Sequence, residues 1–379
     1  MSKHILVVGG GLAGTMVANG LCRRLGNELR AGQVQITLLG TSDRHLYQPA
    51  LLFVPFGLAG EENLFRSQRQ VLDRRVVFHV DPARQIEAVT KKVTTEAGRV
   101  FDYDYLILAT GSRLMPETVP GMVEGAHWFY DLAGARKLRS ALQAFTGGRI
   151  VVNINVPHKC PVAPLEMTLM LHDYLTKRGL IDRTTLTYTY PIGRLHALEP
   201  VAHWCKPVLE QRGIQSETFF NTEWIDPVNQ RITSMEGVTL DYDLLITIPP
   251  HAGMEVVSTS NLGRGGWATT DPKTLLHTVH KEIFVIGDTT NIPISKAGST
   301  AHFETETVIA NITALIQEGC WSHDYDGKVF CFLETGMEEG TYTWFNYVTP
   351  PRLGPPSQMI HWFRLAYNRL YWLSVKGLL

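Results

Sequence analysis

Short apolar runs alternate with longer amphipathic stretches along this chain. Residues 4–8, 34–39, 103–109, 149–156, 185–190 and 282–287 are rich in Val, Ile, Leu, Thr or aromatic residues. Runs of that length, mostly apolar at consecutive positions, read as strands covered on both faces. Residues 15–25, residues 165–177 and a segment running from His302 to about Leu315 carry apolar residues at helical spacing. Strands that alternate with helices predict an α/β chain built on parallel sheets. With 379 residues, 44% of them apolar and 19% charged, the chain is long enough for more than one domain and is not of disordered composition.

The first run continues into Gly9-Gly10-Gly11-Leu12-Ala13-Gly14, a GxGxxG with Gly9, Gly11 and Gly14 at its three required positions. Gly9 makes the tight turn, and Gly11 lets a pyrophosphate approach the backbone. Gly14 lets the helix lie against the strand, and the helix start carrying Leu12 and Ala13 faces the anion. Strand, turn, helix and strand follow in the right order, so residues 1–112 read as the first part of a Rossmann-like domain. The acid that closes the second strand in such domains, to hold a ribose, is missing. Gly40-Thr41-Ser42-Asp43 stands there, which leaves the Thr41 or Ser42 hydroxyl, or a shifted Asp43, for that contact.

Two later strands end in small turns, one in Ala109-Thr110-Gly111 and the other in Gly287-Asp288. An aspartate at the carboxyl end of a parallel strand lies where ligands bind in open α/β sheets. In this order the three motifs resemble the FAD-binding half of the flavoprotein disulfide reductases with two dinucleotide domains. The resemblance implies FAD, with Asp288 on its ribityl chain. NADH-using members carry a second glycine motif after a mid-chain strand. Here that strand leads into Pro157-His158-Lys159-Cys160-Pro161-Val162-Ala163-Pro164, and strand 185–190 has no terminal acid. Residues 113–251 are therefore expected to keep a Rossmann-like form that no longer binds NADH, with the FAD domain resuming over 252–315.

The five cysteines, at 22, 160, 205, 320 and 331, have neither zinc-site spacing nor the density of a disulfide scaffold, so no metal is expected. Cys160 follows His158 and Lys159 and precedes a helix start, a setting that predicts a thiol of lowered pKa. The segment 157–164 has the form P-x-K-C-x-x-A-P. With the stretch 45–57, which contains Pro49, it resembles the sulfide:quinone oxidoreductases, a likeness that extends over nearly the whole chain. The resemblance implies that Pro49 lies near the flavin and that a second redox cysteine stands near the C-terminus. Cys331, in a short strand within 328–336, fits that place. The family passes the two electrons of sulfide through a disulfide or sulfur chain between two such cysteines to FAD, and from FAD to a quinone. Many members have a third cysteine after a Val-Pro-Gly turn. Val119-Pro120-Gly121 is present here without one, which implies a two-cysteine subgroup and FAD held non-covalently. Cys22, Cys205 and Cys320 read as structural. Lys296, just before the helix that follows Gly287-Asp288, is placed to meet charge on the flavin or to orient a quinone carbonyl, and Ala297 to offer an amide to the ring. His196 and Glu166 are candidates for proton handling.

The 35 Lys and Arg against 36 Asp and Glu leave a net charge of −1, which argues against nucleic acid as a partner. No apolar run approaches the roughly 18–20 residues of a spanning helix. A strand that begins almost at once leaves no room for a signal peptide. Residues 340–379 hold four basic residues, no acidic ones and nine of the 36 aromatics. At 100° per residue, Met359, Ile360, Trp362, Phe363, Ala366, Tyr367, Leu370 and Leu373 share one face, and His361, Arg364, Asn368, Arg369 and Lys376 the other. That pattern predicts a helix lying in the membrane interface, with a helix docked on the domain or on a dimer partner as the alternative. Phe330 and Phe332 are candidates for a quinone entrance.

The expectation is thus an α/β chain of two Rossmann-like domains, the second degenerate, plus a C-terminal region (316–379) that carries Cys331 and an amphipathic membrane-binding helix. It is expected to be a monotopic enzyme of the cell membrane that takes sulfide and a membrane quinone, with homo-oligomerisation left open. A type II NADH:quinone dehydrogenase would need the absent second glycine motif. The flavin subunit of a sulfide-oxidising flavocytochrome would be exported and paired with a haem protein. A non-catalytic FAD module would hold Cys160 and Cys331 too far apart to bridge.

Overall fold

A computed structural model describes residues 2–321 and 323–378 of the chain. β1 (Lys3–Val8) runs into α1 (Leu12–Arg24), followed by β2 (Val34–Gly40), β3 (Val77–Val80) and β4 (Tyr105–Leu108). The middle of the chain supplies β5 (Gly148–Ile154), α2 (Ala163–Lys177), β6 (Thr184–Tyr190), β7 (Gln215–Thr218) and β8 (Leu244–Ile248). Next come β9 (Ile283–Val285) and α3 (Gly298–Gln317), then β10 (Val329–Glu334), β11 (Gly340–Phe345), β12 (Arg352–Leu353) and α4 (Gln358–Val375). The strands fall on the apolar runs. α1 and α3 begin earlier than their periodicity suggests; α1 starts directly from the turn that ends β1, and α3 follows a loop after Gly287–Thr289.

Two parallel sheets carry the core. The first has the order β9-β4-β1-β2-β3 and the second β7-β6-β5-β8. In the first, Ile5 of β1 lies between Ile36 and Tyr105. Ile5, Leu6 and Val7 are fully buried, so both faces of the strand are covered, which is why the run is apolar without alternation. β9 joins this sheet although the second sheet intervenes in sequence. The chain leaves through Ser112–Leu114 and returns through His251–Gly253, and these two segments pair antiparallel. The carboxyl ends of β1, β4 and β9, which are neighbours in the sheet, thereby bring Gly9, Ala109 and Gly287 together.

The third sheet, β10-β11-β12, is antiparallel. Phe330 and Phe332 stand opposite Trp344 and Tyr342, and Cys331 opposite Thr343. Strand alternation turns the two phenylalanines to one face and the cysteine to the other.

α4 is started by Ser357, whose hydroxyl accepts the Ile360 N–H at 3.3 Å. Its C-terminal half packs Tyr371 and Val375 into the core, while much of its apolar surface is turned outward. His361, Arg364, Tyr371, Ser374 and Val375 are buried, while Met359, Trp362, Phe363, Leu365, Tyr367, Leu370 and Leu373 are exposed. The expected polar face is corrected in part: Arg369 and Lys376 are exposed, but His361 and Arg364 turn inward to buried carboxylates. Among the described residues no helix is long and apolar enough to cross a membrane.

Candidate active site

β1 ends in a turn at Gly9, which adopts φ +117. A Cβ there would fall 2.2 Å from the Ala109 carbonyl oxygen, and one at Gly14 would fall 1.9 Å from the Gly9 carbonyl oxygen. Both positions therefore require glycine for backbone packing. Gly11 differs, because nothing lies within 4 Å of the place its Cβ would occupy. It is the N-cap of α1, with no side-chain cap and no acid in the first turn. A helix end whose amides lack side-chain partners, beside open space, suits a phosphate.

That open space is a cavity of about 400 Å³. Gly9, Gly11, Leu12, Ala13, Thr41 and Ser42 line it, and so do Pro49, Ala109, Thr110 and Gly111. Gly287, Asp288, Lys296, Ala297 and Cys160 complete the set of predicted residues in its wall. Gly14 stands behind the turn. Asp43 is turned away, its carboxylate accepting the Ser67 hydroxyl at 3.0 Å. Arg44 lines the cavity instead, packed 3.9 Å from the centre of the Phe65 ring. Asp288 meets the Ser112 hydroxyl at 3.3 Å and the Lys159 ammonium at 3.9 Å. The turn that carries it is held from below, where the Gly287 N–H donates to the buried Glu304. Lys296 is no surface residue: its ammonium donates to the Thr290 carbonyl and lies 4.6 Å from the centre of the Trp267 ring, and burial lowers its pKa.

Cys160 sits at φ +49, a left-handed conformation that is uncommon for a residue with a side chain. Its N–H donates to the Lys296 carbonyl at 2.7 Å, and its carbonyl accepts the Tyr130 hydroxyl at 3.2 Å and the Ala163 N–H at 3.1 Å. Those bonds fix the loop. Cys331 comes from β10, with its sulfur 3.8 Å from the Ser299 hydroxyl at the start of α3. Both cysteines pack against the same hydrophobic core, Cys160 in the cavity wall and Cys331 outside it. Burial pushes Cys160 up to about 12. Burial likewise pushes Cys331 up to about 11. The lowered pKa expected for Cys160 is thus overturned, because desolvation outweighs the helix end and the nearby cations. Cys22 and Cys205 are fully buried in the core, whereas Cys320 is exposed rather than packed. His196 is buried against the Pro161 carbonyl at 3.0 Å.

Residues 3–153 match the family model "Pyridine nucleotide-disulphide oxidoreductase". The mitochondrial sulfide:quinone oxidoreductase of Mus musculus is 26% identical over 92% of this chain and 79% of its own length. A sulfide-quinone reductase of Aquifex aeolicus is 23% identical over 100% of this chain and 92% of its own length. The crystal structure of the Aquifex aeolicus sulfide:quinone oxidoreductase superposes with a TM-score of 0.88 at 21% identity, covering 99% of this chain and 92% of that one.

The fold is that of the FAD-binding flavoprotein oxidoreductases. The cavity fits the group: the α1 amides at Gly11–Ala13 would hold the pyrophosphate, and the carboxylate of Asp288 the ribityl hydroxyls. Residues from α4 also reach the wall of this flavoprotein's cavity, namely Arg364 and Tyr371. The periodicity puts Arg364 on the polar face and leaves Tyr371 on neither face, so it singles out neither residue for this cavity.

Arg364 is paired with Glu166, and its Nε lies 3.5 Å from Glu334. His361 Nδ1 meets Glu334 at 2.9 Å. A second cavity, of about 460 Å³, lies between β10, β11 and α4. Phe330, Phe332, Tyr342, Phe363, Tyr367 and Leu370 are among its walls, and the Phe330 and Phe332 ring centres are 5.0 Å apart, edge to face. Phe363, Tyr367 and Leu370 also belong to the exposed face of α4. Thus β10 carries Cys331 on the side of α3 and aromatic walls on the side of α4.

Proposed function

We propose that this flavoprotein is a membrane-associated sulfide:quinone oxidoreductase that works with two cysteines. The reading is supported by Cys160 in the wall of a cavity that fits FAD and by Cys331, from a separate part of the chain, packed against the same hydrophobic core.

Sulfide attacks one sulfur of a Cys160–Cys331 disulfide. The S–S bond breaks, one cysteine keeps the incoming sulfur as a persulfide, and the other leaves as a thiolate. When bound, FAD supplies a two-electron carrier between sulfur and quinone. A second sulfide takes up the persulfide's outer sulfur as a polysulfide. The two cysteines return to the disulfide as their two electrons pass on to the quinone, so that over the cycle one sulfide sulfur loses two electrons and one quinone gains two electrons and two protons. Burial disfavours the thiolate of both cysteines, which agrees with sulfide as the attacking species. Asp288 and the loop glycines would hold the cofactor, and Lys296 would bring positive charge to the wall beside it.

The exposed apolar face of α4 is the proposed membrane contact, and the aromatic cavity beside it the quinone site. An apolar face turned outward while the polar face is docked suits a helix immersed in the interface. Oxidation of NADH is the competing activity. It is disfavoured because the loop after β5 has no glycine cradle and is pinned through Cys160 to Lys296.

Anaerobic mixing of the purified holoenzyme with sulfide, and separately with NADH, decides between the two. Sulfide is expected to bleach the flavin absorbance and NADH to leave it. Bleaching by NADH alone overturns the proposal.

A further inference from the structure

The sulfur chemistry proposed above requires a thiolate to leave inside a site that penalises charge. The groups facing Cys160 define what can offset that penalty. On its own loop, His158 is half-buried and its Nδ1 meets the Lys159 carbonyl at 3.1 Å, while the Lys159 ammonium is engaged with Gln48 at 3.0 Å and with Asp288 at 3.9 Å. The Lys296 ammonium is turned to the Thr290 carbonyl and the Trp267 ring. From β10 comes Cys331, from the turn after β9 Asp288, and from α2 Glu166. Tyr130 gives its hydroxyl to the Cys160 carbonyl. Arg364 remains, from α4.

Arg364 lines the same cavity as Cys160 and is 8% exposed. It is held there by Glu166 on α2, by Glu334 on β10 and by the Phe53 ring, whose centre is 5.1 Å away. We propose that Arg364 is a positioning residue for the sulfur reaction: its guanidinium, delivered by the inner face of the helix whose outer face is apolar, stabilises the thiolate form of Cys160. This rests on the sulfide reading for its place in the reaction, though not for its electrostatics. The mutual influence of the two groups agrees with it, since Arg364 favours the charged thiol, and burial leaves the guanidinium with a pKa of about 10, still charged at neutral pH. Docking of α4 thereby joins membrane contact to the reactivity of the sulfur, because the cation is in place only when the helix is seated.

The test is the rate at which iodoacetamide alkylates Cys160 in the reduced holoenzyme at pH 9, read by mass spectrometry of the peptide that contains it. Arg364→Gln is expected to slow labelling about tenfold, the change in thiolate fraction for a pKa rise of about one unit. Arg364→Lys, which keeps the charge, should stay within about twofold of wild type. Arg364→Gln also leaves Glu166 unpaired, so Glu166→Gln/Arg364→Gln is compared with Glu166→Gln alone, and slow labelling is again expected. Wild-type labelling in Arg364→Gln overturns the proposal. So does faster labelling, which a merely loosened site would give, and so does recovery in the double variant, which would assign the effect to the stranded carboxylate. The assay uses no sulfide, so its failure leaves the proposed activity untouched. A flavin that sulfide does not bleach, in turn, would defeat that activity without deciding the role of Arg364.

Discussion

The backbone N–H of Cys160 donates to the carbonyl of Lys296 at 2.7 Å. One bond thus joins the loop after β5 to the turn before α3 and sets the cysteine in the wall of the cavity with the lysine. The left-handed backbone at Cys160 costs on the order of 1–3 kcal/mol, which the surrounding hydrogen bonds offset. The loop is therefore a fixed support for sulfur and not a mobile flap.

Cys160→Ser and Cys331→Ser each remove one sulfur while keeping the side-chain volume close to the original. Both variants should purify with FAD, and sulfide-driven quinone reduction should fall on the order of 10³-fold or more, the loss expected when a covalent intermediate cannot form. Measurement of flavin content beside quinone reduction checks both halves, and wild-type turnover in either variant would refute the two-cysteine mechanism.

The three motif glycines should separate in their effects. Gly14→Ala pushes a methyl group into the Gly9 carbonyl oxygen and is expected to lower the melting temperature of the protein. Gly11→Ala meets no atom within 4 Å in the protein itself, so the fold should hold while flavin content drops. Equal loss of stability in the two variants would contradict the assignment of Gly11 to the cofactor.

Trp362 and Phe363 are 64% and 57% exposed on α4. Replacing both by Ser should change stability by no more than about 1 kcal/mol, since neither packs in the core. Sedimentation with liposomes should weaken by at least about tenfold, because each ring is worth about 1.5–3 kcal/mol when it leaves water for an apolar phase. Unchanged sedimentation would argue that another surface carries the membrane contact.

Glu304 is fully buried, one of its oxygens has no partner, and burial raises its carboxyl to about 8 from an ordinary 4.5. Between those values the unfolded chain has lost a proton that the folded protein keeps. Its contribution to stability is complete below about pH 4.5 and declines as pH rises towards 8, with a limiting slope of about 1.4 kcal/mol per pH unit. Urea unfolding from pH 5 to 8 should show this decline, and Glu304→Gln should reduce it while leaving the share of Glu334, which burial also raises to about 8. An equal slope in both proteins would place the titration elsewhere.

Much of the cavity was legible in advance because turns and strand ends are local. Gly9 and Gly14 declare a turn that only glycine can make, Gly11 leaves the backbone open to a ligand, and Gly287-Asp288 marks the end of a strand that ligands reach. Asp43 was not legible in the same way, since nothing local says whether its carboxylate faces a ribose or Ser67. The pKa of Cys160 was misjudged for a related reason. Neighbours in sequence supply cations and a helix end, but the desolvation that outweighs them comes from groups folded over the loop from elsewhere.

By itself, the sequence determined the α/β class, the phosphate turn, the missing second nucleotide motif and the two faces of the last helix, all of which depend on residues a few positions apart. Tertiary structure alone decided which face of that helix looks inward. A periodic pattern states only that two faces differ, and the buried carboxylates of Glu166 and Glu334 draw Arg364 and His361 against the body while the aromatic side is left outside. The meeting of Cys160 with Lys296 was decided there too, since separate segments become neighbours only when sheets and helices pack.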